Sequence, residues 1–240
     1  MSDFKNIAVR LGLRVKDMAV SHESLVSSVG GSHSGGVCGA LTMLYLSRYI
    51  AKQGTDDPFE GKSFSTLLTE VQGSTKLKQL LNQLQNMESS RSDTFGIGLD
   101  KGVSNAEWRD IWAGVGFEGI FTANMGAMGA KKLTMEKANV GDFFSVTDTA
   151  PFAAIARYVS GHHGVHFIKL PNHYVGAVVD DNRLKFKFLD VNYGQAITTN
   201  AKAFRDFLEA YFASATVTGG LFSSGYNEKG QSAGVVHCRF

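Results

Sequence analysis

The chain has 240 residues, 43% of them apolar, and a net charge of +2 with acidic and basic residues interspersed. This composition excludes a disordered or fibrous chain and suits one globular domain, or two small lobes around one cleft. No Lys/Arg cluster exceeds the pair Lys131-Lys132, so no nucleic-acid footprint is expected.

No apolar run reaches the length of a membrane-spanning helix, and the opening MSDFKNIAVRLGLRVKDMAVSHES lacks the apolar core and cleavage site of a signal peptide. A soluble protein outside the general export pathway is expected. Residues 1–30 mix apolar and charged positions without a firm period and read as a leading segment. A translocation signal, a chaperone-binding segment and a removable pro-segment all remain open for it, and the domain proper spans 31–240.

The run Gly30-Gly31-Ser32-His33-Ser34-Gly35-Gly36 is too rich in glycine for the interior of an element. Immediately after it, Val37, Leu41, Leu44, Tyr45 and Tyr49 recur at three- and four-residue steps, and Gly54 supplies a stop. The spacing predicts a buried helix over 38–53 with Cys38 in its first turn. A second helical region is predicted over 63–88, striped by Leu77, Leu80, Leu81, Leu84 and Met87, with Gly73 dividing off an earlier turn. Ser104-Asn105-Ala106-Glu107 is a capping box and opens a third helix with Trp108, Ile111 and Trp112 inward. Asn124 to Ala130 reads as a loop, and Pro151 to Ser160 as a short helix stopped by Gly161.

The pattern then changes to strands. Val165 to Leu170, His173 to Val179 and Leu184 to Asp190 are β-branched or aromatic runs separated by Pro171-Asn172 and by Asp180 to Arg183, an antiparallel meander. An amphipathic helix over Asn200 to Phe212, with Phe204, Phe207, Leu208 and Tyr211 inward, precedes a closing strand at Gly234 to Phe240. Helices first and an antiparallel sheet last predict an α+β domain.

Two cysteines, Cys38 and Cys238, make no disulfide framework for a chain this long, and no Cys/His spacing suggests structural zinc. Cys38 at a helix start lies beside unpaired amides and the positive end of the helix dipole, which favour thiolate, although a lone apolar-helix cysteine is also an ordinary core residue. A two-residue turn at Asp181-Asn182 sets Val179 opposite Leu184, Ala177 opposite Phe186, Val175 opposite Phe188 and His173 opposite Asp190. That face ends in an imidazole beside a carboxylate, either a cross-strand ion pair or a base with its orienting acid. The opposite face, with Lys185 and Lys187, reads as solvated or lightly covered.

Three segments carry a family resemblance. Gly36-Val37-Cys38-Gly39-Ala40-Leu41-Thr42, His173-Tyr174-Val175-Gly176-Ala177-Val178 and Leu189-Asp190-Val191-Asn192-Tyr193-Gly194 resemble the nucleophile helix, histidine strand and Asp-x-Asn-x-Gly segment of the YopT/AvrPphB group of bacterial effector proteases, a branch of the papain-like clan. The resemblance implies a papain-like α+β fold and peptide-bond hydrolysis through a thioester. Cys38 is then nucleophile, His173 base and Asp190 orienting residue, with no cofactor or metal. It also implies a protein substrate in a target cell, reached by specialised secretion. The oxyanion donor departs from the pattern: where papain-like enzymes carry Gln or Asn, this chain has His33 and Ser32, and the expected donors are the Cys38 backbone with His33 or Ser32. The same triad also serves an amidase of cell-wall peptides, a deamidase or a transglutaminase-like toxin, and the fold also serves a binding module without catalysis.

His162, His163 and His166 form HHGVH without a neighbouring Glu or Cys, and read as a polar loop leading into a strand. Cys238 and His237 alternate to opposite faces of the last strand, which disfavours a second dyad and makes Cys238 a core residue. Asn192 and Tyr193 either steady the site or cap the strand.

Overall fold

A computed structural model describes residues 3–17, 38–51, 73, 75, 139–140, 144–145, 150–170, 173–214 and 232–238. In chain order these form α1 (Asp3–Arg10), β1 (Arg14–Asp17), α2 (Cys38–Ala51), β2 (Asn139–Val140), β3 (Phe144–Ser145), α3 (Ala150–Gly161), β4 (Gly164–Leu170), β5 (His173–Asp180), β6 (Lys185–Asp190), β7 (Gly194–Thr198), α4 (Ala201–Ala213) and β8 (Ser232–Cys238). Of the region 63–88, Gly73 and Thr75 are described, both helical, and the rest, with the division expected at Gly73, lies outside the described residues. The helix expected near Ser104 and the loop Asn124 to Ala130 lie outside the described residues.

The fold is α+β. Among the described residues an eight-stranded sheet runs in the order β1-β7-β6-β5-β4-β8-β2, with β3 also paired to β8. The pairs are antiparallel. Alternation along β5 divides its residues between two covered faces. On one face Val175, Ala177 and Val179 join Phe186, Phe188 and Ala196 in a core closed by α1, α3 and α4. In α4, Phe204, Phe207, Leu208, Tyr211 and Phe212 repeat at helical spacing and are buried. Its start is capped by Asn200, whose side chain accepts the Ala203 N–H at 3.1 Å. Residues 3–17, within the leading segment, contribute to this packing. Phe4, Ile7 and Ala8 are buried, and β1 pairs with β7.

The other face is covered by α2, which corrects the expectation that the Lys185/Lys187 face is solvated or lightly covered. Lys187 is 3% exposed and its Nζ lies 5.6 Å from the centre of the Tyr49 ring. Leu41, Tyr45, Leu46 and Tyr49 of α2 are buried. Tyr45 donates its hydroxyl to Gln195 Oε1 at 3.1 Å, and Tyr49 to Asp180 Oδ2 at 3.0 Å. Burial and the nearby charges of Lys16 and Arg14 push the Lys187 amine down to about 7.

The β5–β6 register also differs from expectation. Val175 faces Asp190, Ala177 faces Phe188, Val179 faces Phe186 and Asp180 faces Lys185. The turn is therefore Asp181 to Leu184. It is a tight helical turn over Asp181–Arg183, with Leu184 at φ 49° donating its N–H to the Asp181 carbonyl at 3.3 Å. The two-residue turn expected at Asp181-Asn182 left Leu184 in the strand, whereas here it takes the left-handed conformation, uncommon outside Gly and Asn, inside a longer turn. The slip is two residues, so every side chain keeps its face and His173 lies diagonal to Asp190 instead of directly opposite.

Candidate active site

Helix α2 and strand β5 run in the same direction, and successive contacts advance along both. Thr42 Oγ1 donates to the Tyr174 carbonyl at 3.4 Å, Thr42 and Leu46 pack on Gly176, and Tyr49 reaches Asp180. The close approach depends on Gly176: a Cβ there would lie 2.9 Å from Thr42 Cγ2 and 3.3 Å from Leu46 Cδ2. As a result the first residue of the helix, Cys38, is brought near the first residue of the strand, His173, close enough for the thiol to favour charge on the imidazole.

Asp190 closes the β6–β7 hairpin, paired with Gly194 across the turn Val191 to Tyr193. Two local features shape that turn. Tyr193 N–H donates to the Asp190 carbonyl at 3.0 Å, and Gly194 takes φ 119°, a conformation open to glycine and rare for other residues. The Asp190 side chain accepts the N–H of Asn192 on Oδ1 at 2.9 Å, the self-bonding turn that Asp favours. The spacing Asp-x-Asn-x-Gly thus has a backbone cause, and the main chain of Asn192, not its side chain, steadies the carboxylate.

His173 Nε2 donates to the same Oδ1 at 2.8 Å, which leaves Nδ1 as the nitrogen not engaged by Asp190. The other carboxylate oxygen, Oδ2, accepts the Tyr211 hydroxyl of α4 at 2.6 Å. Cys38 and Asp190 are buried, and the His173 side chain is 10% exposed. Burial disfavours charge on His173, but the Asp190 charge, its hydrogen bond and the Cys38 side chain outweigh it and raise the imidazole to about 10. Burial likewise works against the Asp190 anion. The His173 charge and the donors His173, Tyr211 and Asn192 overcome it and hold the carboxyl below its ordinary value. Tyr211 is held well above its usual value by burial and by the Asp190 charge, so it stays a donor.

His33 and Ser32, the expected oxyanion donors, lie outside the described residues, as do Gly35 and Gly36. The Tyr211 hydroxyl escaped sequence reasoning, which took Tyr211 only as part of an apolar stripe. The available signal was a tyrosine among phenylalanines, because a buried phenol needs a partner.

HHGVH is more than a polar loop. His162 and His163 link α3 to β4, but His166 is a buried strand residue stacked on His237 with ring centres 4.5 Å apart. His237 Nε2 donates to the His163 carbonyl at 2.8 Å. Burial and the neighbouring His237 and His162 rings keep His166 well below its ordinary pKa. Among the described residues no group of three or more His, Cys, Asp or Glu is arranged to hold a metal. Among these residues too, no helix is long and apolar enough to cross a membrane.

No family model and no curated protein matches the chain. Among solved structures, the chain is similar to the Pseudomonas avirulence protein AvrPphB, with 13% identity, 86% of this chain and 93% of that chain covered, and a TM-score of 0.44. It is also similar to PatoxP, a cysteine protease-like domain of the Photorhabdus asymbiotica toxin PaTox. There the identity is 11%, 97% of this chain and 56% of that chain are covered, and the TM-score is 0.44.

Proposed function

We propose that the chain is a cysteine endopeptidase of effector type that cleaves a peptide bond in a target-cell protein. The supporting observation is the buried hydrogen bond of 2.8 Å from His173 Nε2 to Asp190 Oδ1, with Cys38 near enough to favour charge on the same imidazole. A thiol and a carboxylate beside one ring supply the groups that proton transfer needs and ordinary packing does not.

In this reading Asp190 fixes the ring orientation and favours its protonated form, which stabilises a sulfur anion alongside. The Cys38 sulfur attacks the substrate carbonyl carbon, forming a C–S bond, and the carbonyl π electrons move to oxygen. The Cys38 backbone N–H, with His33 or Ser32, donates to that oxygen. Collapse breaks the C–N bond as His173 delivers its proton to the departing amine, leaving a thioester. His173 then takes a proton from water, the hydroxide attacks the thioester, and the acid product leaves as the sulfur regains its starting state.

The resemblance of the segments around Cys38, His173 and Asp190 to effector proteases favours a protein substrate and delivery by a specialised secretion route. The test is identification of new protein N-termini in target cells given the parent protein or Cys38→Ala. Termini that require Cys38 support proteolysis, and termini common to both refute it. Release of peptide fragments or ammonia from isolated cell wall with proteins untouched would assign the triad to an amidase or deamidase instead.

A further inference from the structure

The Asp190 carboxylate is 1% exposed, and each of its oxygens has a protein donor. Oδ1 takes two, His173 Nε2 at 2.8 Å and Asn192 N–H at 2.9 Å, and Oδ2 takes the Tyr211 hydroxyl at 2.6 Å. A buried acceptor deprived of its donor bears the desolvation cost of that loss. If Tyr211 were silent, turning the carboxylate about its Cβ–Cγ bond would be the means for Oδ2 to share the donors on Oδ1. The His173 bond would lengthen in consequence.

The Tyr211 ring is itself confined. It packs edge-on to Phe188 of β6, Phe212 of α4 and Phe4 of α1, with ring centres 4.7, 5.1 and 6.1 Å away, and stacks on Phe207 with ring centres 6.0 Å apart. Phe4 also stacks on Tyr193 at 5.7 Å, within the turn that presents Asp190. One residue of the N-terminal helix therefore touches both the ring that donates to the acid and the loop that carries it.

We infer that Tyr211 is a positioning residue for His173: clamped by Phe4, its hydroxyl holds the Asp190 carboxylate with Oδ1 turned to the imidazole, so that seating of α1 governs the strength of the His173–Asp190 bond. The inference rests on the proposed triad. A purely structural role is the alternative, and phenylalanine separates the two because it fills the same space without the oxygen. The groups facing this cluster are His173 of β5, Cys38 of α2, Tyr193 of the β6–β7 turn, Tyr211 of α4 and, through its electrostatic effect on Tyr193, Asp3 of α1. Burial and Asp190 hold both tyrosines above their ordinary values, which favours their protonated forms.

The test is an NMR titration of the His173 ring in the whole chain, assigned by comparison with His173→Gln. In Tyr211→Phe the midpoint is expected to fall by about one pH unit or more, as expected when an opposite charge is misplaced. An unmoved or raised midpoint, whatever the melting temperature does, overturns the inference. In an Asp190→Asn background the same substitution should no longer move His173, and a persisting shift overturns the route through the acid. If Tyr211→Phe fails to fold, Phe4→Leu keeps the hydroxyl but loosens its clamp. A smaller fall in the same direction is then expected, and no shift is fatal. The triad itself is checked separately: Cys38 alkylation at pH 6 that is unaffected by His173→Ala would end that reading. His173-dependent alkylation with an unmoved Tyr211→Phe midpoint removes only the role of Tyr211.

Discussion

Replacing Gly176 with alanine probes the contact that brings Cys38 to His173. The added Cβ would sit 2.9 Å from Thr42 Cγ2 and 3.3 Å from Leu46 Cδ2, against an ordinary carbon contact of about 3.5–4.0 Å. Helix α2 must therefore back off the sheet by roughly 0.5–1 Å, at an overpacking cost of about 1–3 kcal/mol. Loss of glycine's freedom in the unfolded chain returns about 0.4–1 kcal/mol. The net expectation is a loss of about 1–2 kcal/mol in urea denaturation. Because a 1 Å misplacement costs about 100-fold in a positioned reaction, alkylation of Cys38 by iodoacetamide at pH 6 should slow by about tenfold. Adding Thr42→Ser removes the nearer clashing carbon and should recover much of both losses. Unchanged stability with unchanged alkylation in Gly176→Ala would refute the reasoning, and so would a double variant no better than the single.

Three further substitutions test other parts of the account. Asp190→Ala strands a buried imidazole and should lower stability by about 3–5 kcal/mol at pH 6. Folding raises His173 from 6.5 to about 10 in the parent, so its stabilising contribution is complete below 6.5 and lost as pH rises through 10; the gap between parent and variant in urea melts should shrink over that range. Phe4→Ala, at a fully covered position between Phe188, Tyr193, Phe207 and Tyr211, should cost about 3–5 kcal/mol by thermal or urea unfolding. Lys187 titrates near 7 when folded and 10.5 when unfolded. Between those values the unfolded chain binds more protons, so stability rises with pH; in Lys187→Met that portion of the rise should vanish, and an unchanged pH slope would count against a depressed Lys187.

Elements with a sustained period were legible in the sequence. Helix α2, strands β4 to β6 and helix α4 were found within a few residues of their bounds, because their apolar positions repeat over several turns or pleats. Helix α1 carries the same spacing in Phe4, Ile7 and Ala8, but eight residues give too short a run to stand out, and β1 is shorter still. The face of Lys185 and Lys187 was misread because alternation marks a charged residue as outward, whereas a long lysine stem packs under aromatic rings. The clue lay elsewhere: a helix as apolar as α2 needs a surface to cover, and the second face of the sheet was available. The motifs around Cys38, His173 and Asp190 were legible as residue types. The Asn192 amide and the Tyr211 hydroxyl were not, since a backbone donor has no letter and a phenol's partner is chosen by tertiary packing.

The hairpin tip at Asp181 to Leu184 stands six residues from Asp190, about 20 Å along the strand. It nevertheless acts as the ruler for the acid. Lengthening or shortening that tip by one residue would roll β6 over, sending Asp190 toward α2 and Lys187 into the phenylalanine-rich layer. A change of two would preserve the sides but carry the carboxylate about 7 Å past its imidazole. An exposed, chemically bland loop with a strained leucine is therefore a place where sequence can drift freely in composition but hardly at all in length.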